Sequence, residues 1–112
     1  MQSEDVLRTW RMNLAEFGRR NHLRPTRIEV VDPSAGLESD FWIEDGMLLS
    51  GIDLEEDPGR GLSVDIMLQT TGESGRNHLT ERISGVKRLD VESDQLKIED
   101  AANRLTIMRF EH

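Results

Sequence analysis

Apolar residues recur at three- and four-residue steps near the start of the chain: Val6 and Leu7, then Trp10, Leu14 and Phe17. That spacing draws one stripe along an amphipathic helix. Ser3 suits the N-cap, and Glu4 and Asp5 suit the first turn. Arg19 and Arg20 suit the negative C-terminal pole. Glu4–Arg8 and Glu16–Arg20 are i,i+4 pairs in the favourable order. Gly18, or Asn21 a little later, offers an end. The pattern predicts a helix over about 3–20.

After Pro25 the period changes to two. Ile28 and Val30 alternate with Arg27 and Glu29, which predicts a strand over about 26–32. Asp32-Pro33-Ser34-Ala35-Gly36 reads as a turn. Asp45-Gly46, flanked by apolar runs, predicts a tight hairpin between strands at about 41–44 and 47–54. Gly51 inside the second run marks a bulge or bend. Leu62, Val64, Ile66 and Leu68 alternate with Ser63, Asp65, Met67 and Gln69, the cleanest half-buried strand, at about 62–69. Further strands are expected at about 78–84, 87–92, 95–100 and 104–110, separated by short polar turns.

No helical crossover is available after residue 21, so the strands pair antiparallel. The predicted architecture is α+β, a single domain over 1–112. An N-terminal amphipathic helix packs on a curled antiparallel meander of six to eight short strands.

The chain is acidic, with a net charge of −8. That total hides a split. Residues 1–27 carry six Arg against Glu4, Asp5 and Glu16, while residues 28–57 carry ten acids and no Lys or Arg. Both segments lie in regular amphipathic elements, so the split is expected to act first inside the fold, drawing the helix end to the acidic hairpins. A net negative charge opposes general nucleic-acid binding. The absence of Cys excludes disulfides, thiolate metal sites and Cys nucleophiles. No run reaches the ~18 apolar residues of a membrane span, and the start lacks the pattern of a signal peptide. These features predict a cytoplasmic protein with no cofactor, no membrane contact and no nucleic-acid partner.

Candidate chemistry is thin. His78 is the most pointed polar residue, with Thr80 and Arg82 on its face of the strand, and a neutral-range acid–base or ligand-binding role would suit it. His22 and His112 have no partner at metal-ligand spacing. Asp53, Glu55, Glu56 and Asp57 are oxygen-rich but lack the pattern of a calcium loop. Gly72-Glu73-Ser74-Gly75-Arg76 is neither a phosphate loop nor a nucleophile elbow. Arg19, Arg20, Arg24 and Arg27 form a basic patch that would suit an anion, unless they pair within the fold. Alternation puts Trp42 and Met67 on the outer face of the sheet, where such residues anchor interfaces.

Several residues recur in an order that resembles a short bacterial family of domains of unknown function. They are Trp10 and Phe17 in the helix, Ile28-Glu29-Val30, Leu48-x-x-Gly51-Ile52, His78-Leu79 and Leu96-Lys97-Ile98-Glu99-Asp100. Asn77 departs from the acid expected before the His-Leu pair. The resemblance implies one small domain and no catalytic residues.

Two functional classes compete. The first is a binding or interaction module that meets a protein partner or forms a homodimer through its sheet, with Trp42 and Met67 at the interface. The second is a small-ligand binder or enzyme with a pocket near His78, Arg82 and Glu81. A pocket beside His78 would separate them.

Overall fold

A computed structural model describes residues 4–32, 40–57, 59, 61–70 and 78–110, with the side chains of 40–45 and 57 outside that description. One helix, α1 (Glu4–Arg20), precedes seven strands: β1 (Pro25–Val31), β2 (Asp40–Asp57), β3 (Gly61–Gln69), β4 (His78–Ser84), β5 (Val86–Val91), β6 (Gln95–Asp100) and β7 (Leu105–Phe110). They form a seven-stranded antiparallel sheet in the order β4-β3-β2-β1-β7-β6-β5. The fold is α+β, with the helix packed on a curled, unclosed sheet, as the periodicity predicts. No helix among the described residues is long and apolar enough to cross a membrane.

The helix begins with Glu4 and Asp5 in its first turn and ends with Arg19 and Arg20 in its last. Leu14 and Phe17 are fully buried, and Leu7 and Trp10 flank them. Burying side chains of this size stabilises by roughly 1.5–3 kcal/mol each. The Phe17 and Phe110 rings sit 5.5 Å apart at 44°. This contact joins the end of the helix to the last strand. On β3 the buried Leu62, Val64, Ile66 and Leu68 face the same core.

Helix exit depends on Asn21. Its backbone N–H donates to the Phe17 carbonyl at 3.0 Å. Leu23 then takes φ 64°, the left-handed region that turns the chain back. Leu23 N–H donates to Leu49 O at 2.7 Å, and Leu49 N–H to Arg24 O at 3.1 Å. The start of β1 is thereby fixed against β2.

The expected hairpin at Asp45-Gly46 is absent. Strand β2 runs unbroken through it, so the separate strands expected at 41–44 and 47–54 are one. Gly46 takes φ 103°, and the β1–β2 register slips between Pro25↔Leu48 and Arg27↔Asp45. The glycine is spent on an irregularity within the ladder rather than on a turn. The reason is tertiary: β1 pairs with the first half of β2, while β3 pairs with the second half, from Leu48 to Asp57. A hairpin at Gly46 would compete with both ladders. The bulge expected at Gly51 is present, as a register shift between Leu49 and Gly51.

Two meanders, β1-β2-β3-β4 and β5-β6-β7, join where β7 pairs with β1. The chain crosses from one outermost strand, β4, to the other, β5, through Gly85 alone. So short a link requires the sheet to curl until its two ends meet there. Gly85 takes φ 67°, and a Cβ on it would meet the Ala101 Cβ at 3.4 Å. Ala101 N–H donates to Gly85 O at 2.8 Å, holding the corner to the β6–β7 turn. That turn is organised by buried Asp100, which accepts from Ala102 N–H at 2.8 Å and Arg104 N–H at 3.1 Å. The helix packs chiefly on β2 and also touches β5, across the open side of the curl.

Candidate functional site

Strand β4 carries His78, Thr80 and Arg82 on one exposed face, as alternation predicts. Register places His78 opposite Gln69 and Arg82 opposite Asp65. Arg82 Nη1 donates to Asp65 Oδ2 at 3.0 Å, and Nη2 to Glu55 Oε2 at 3.3 Å. Arg82 is therefore engaged across three strands. Glu81 lies on the opposite face, across from Ile66.

The acids Asp53, Glu55 and Glu56 lie on β2, whose second half pairs with β3; the side chain of Asp57 lies outside the described residues. Asp53 stands directly opposite Asp65, and Glu55 opposite Ser63. Like charges directly opposite are unfavourable, and Arg82 offsets that repulsion from the next strand. Among the described residues no group of three His, Asp or Glu side chains is placed to hold a metal ion.

Three residues of the basic patch, Arg19, Arg20 and Arg24, have partners within the fold. Arg19 Nη2 lies 2.7 Å from Glu16 Oε1 and Arg20 Nη2 3.2 Å from the same oxygen. Arg19, first by its hydrogen bond and then by its charge, holds the Glu16 carboxyl below its ordinary 4.5, and Arg20 adds to this. Arg19 is in turn pushed above its ordinary value by Glu16. Arg24 Nη1 donates to Asn21 Oδ1 at 2.6 Å and its guanidinium lies 4.8 Å from the Phe110 ring centroid. Arg19, Arg20 and Arg24 thus have near partners of their own; the side chains of Asp40, Glu44, Asp45 and Asp57, among the acids expected to draw the helix end, lie outside the described residues. A pair three or four residues apart on a helix forms without fixing distant segments against each other. The helix meets β2 differently: Arg11 Nη1 donates to Leu54 O at 3.0 Å.

Met67 lies on the outer face, as alternation predicts, but it is half-buried. Its Cε lies 3.1 Å from where a Cβ on Gly51 would sit, so the thioether covers the gap that Gly51 leaves. The backbone of Trp42 pairs with Glu29; its side chain lies outside the described residues, as do the 72–76 loop and His112. His22 is exposed just past the helix. The outer face of β1 and β7 is partly covered: Glu29 and Ile107 are only 7% and 8% exposed. Glu29 Oε1 lies 3.6 Å from Arg109 Nη2.

Among the described residues, three hollows on the surface are lined by residues other than His78. One of about 240 Å³ is bordered by Arg88, Asp90, Lys97, Glu99 and Leu105 on the outer face. One of about 230 Å³ separates Asn13, Glu16 and Arg20 of α1 from Val91, Glu92 and Ser93. One of about 250 Å³ lies against Asp5, Val6, Thr9 and Trp10.

Periodicity does not reveal two features. The first is Asn21, whose buried amide links three segments. Its only signal is a polar residue of helix-ending type directly after the apolar stripe. The second is the position of β5 at the end of the strand order, which depends on long-range pairing. Comparison with protein-family models, curated proteins and solved structures found no match.

Proposed function

We propose that this protein is a binding module that acts by protein–protein contact through its sheet, self-association included. The observation carrying this reading is the open sheet: β4 and β5 each end the strand order. Strands in that position present main-chain donors and acceptors to other chains. The outer face adds half-buried Met67 and Leu105 beside exposed charge, a mixture common at interface rims. Arg82, Arg19, Arg20 and Arg24 are engaged inside the fold, which supports contact over ligand chemistry at those residues. A cytoplasmic setting and kinship with the small bacterial family resembled by the sequence fit this reading.

Sedimentation equilibrium over a wide concentration range tests it, together with capture from the native cell. A mass above that of one chain, or a specific captured protein lost on Met67→Asp substitution, is the expected result. A chain that stays monomeric and captures nothing specific removes the proposal.

A further inference from the structure

The β5–β6 turn fixes which backbone groups β5 shows at its outer edge. Glu92 N–H donates to Gln95 O at 2.8 Å. Bonded and non-bonded pairs alternate along an antiparallel ladder. Val91↔Leu96 and Leu89↔Ile98 are therefore non-bonded pairs, while Asp90↔Lys97 and Arg88↔Glu99 are bonded ones. So the N–H and C=O groups of Leu89 and Val91 point away from β6, toward the edge where the strand order ends. On either side of Leu89 in sequence, Arg88 Nε and Asp90 Oδ2 stand 3.4 Å apart on the outer face, their side chains 71% and 54% exposed. A hollow between α1 and Val91, Glu92 and Ser93 lies at this end of the strand, next to the bond from Asn21 to Ser93 O.

We propose that β5 pairs edge to edge with β5 of a second copy, antiparallel, on a two-fold axis through Leu89. This rests on the self-association reading above and names its contact. Main-chain geometry restricts the register, because outward-pointing groups must meet outward-pointing groups. Axes at Arg88, Leu89, Asp90 and Val91 remain. An axis at Arg88 sets the two arginines against each other, and one at Asp90 sets the two aspartates together. An axis at Val91 sets Asp90 against Glu92. Only the axis at Leu89 sets Arg88 of each copy opposite Asp90 of the other, twice, in non-bonded pairs where side chains approach most closely. Leu89 N–H of each copy then donates to Leu89 O of the other. The contact is isologous and closes as a dimer. Each protomer's seven-stranded sheet continues into its partner's.

The test is sedimentation of the full chain as wild type, Arg88→Asp, Asp90→Arg and the double swap. The swap also loses the Arg88–Glu99 and Asp90–Lys97 oppositions within the hairpin, so circular dichroism verifies the fold before each run. Wild type is expected to dimerise. Each single reversal turns two attractive pairs into two repulsive ones and weakens the dimer about tenfold or more. The double swap restores it. A dimer indifferent to the single reversals, or one that the folded double swap does not regain, overturns the edge pairing and leaves the interaction reading standing. A wild type that stays monomeric overturns the edge pairing; if it also captures no protein, both fall.

Discussion

The side-chain amide of Asn21 donates to the carbonyl of Ser93 at 3.0 Å, tying the end of α1 to the β5–β6 turn. The same Nδ2 donates to Phe17 O at 3.0 Å, and Oδ1 accepts from Arg24. Asn21 is fully buried. Removing a side chain from such a position leaves buried polar groups unpaired. Asn21→Ala is therefore expected to cost about 2–3 kcal/mol. Urea unfolding should show a lower midpoint at unchanged slope. Asn21→Asp, which keeps the acceptor and loses the donor, should not recover wild-type stability.

Gly51 and Met67 are coupled across β2 and β3. The Cβ of Gly51→Ala would sit 3.1 Å from Met67 Cε, the tip of a flexible side chain that can move aside. The substitution should cost less than about 1 kcal/mol. With Met67→Ala already in place it should become neutral or stabilising, because glycine is a weak strand residue. A double-mutant cycle in chemical denaturation measures the coupling; a zero coupling energy would show that the contact does not matter.

Gly85 combines φ 67° with a neighbour at 3.4 Å from a would-be Cβ, Ala101. A left-handed backbone costs a non-glycine residue about 1–2 kcal/mol. Gly85→Ala should lose about that much, and Gly85→Asn less, since Asn tolerates this region better. Thermal melting of the two variants gives the ranking.

Glu16 supplies the pH dependence. Its carboxyl is depressed below 4.5 by Arg19 and Arg20. A depressed carboxyl stabilises the folded state above its unfolded pKa. That contribution is lost as pH falls through the lower folded value. Glu16→Gln should thus melt slightly below wild type at neutral pH, and the gap should close in strong acid. The pair is exposed, so the effect is small and salt should shrink it further. A gap that persists unchanged into acid would assign the difference to something other than the charge.

The local elements were legible because their signals are local. The helix stripe, the alternation at Leu62 to Leu68 and the bulge at Gly51 depend on residues a few positions apart. So does the engagement of Arg20 by Glu16. Gly46 departs from its local signal for the same reason: its sequence neighbourhood fits a hairpin, and only the partners on β1 and β3 favour a continuous strand. The Arg82 bridge to Asp65 and Glu55 joins three strands, and no spacing along the chain encodes it.

The sequence by itself determined one helix, antiparallel strands, the faces those strands bury and the acidic balance of the chain. Tertiary structure alone decided that β7 pairs with β1, that β4 and β5 become the two ends of the sheet, and that Asn21 sits where three segments converge. Periodicity settles which side of a strand faces the core. Which strand lies beside it depends on how the whole chain curls to meet at Gly85.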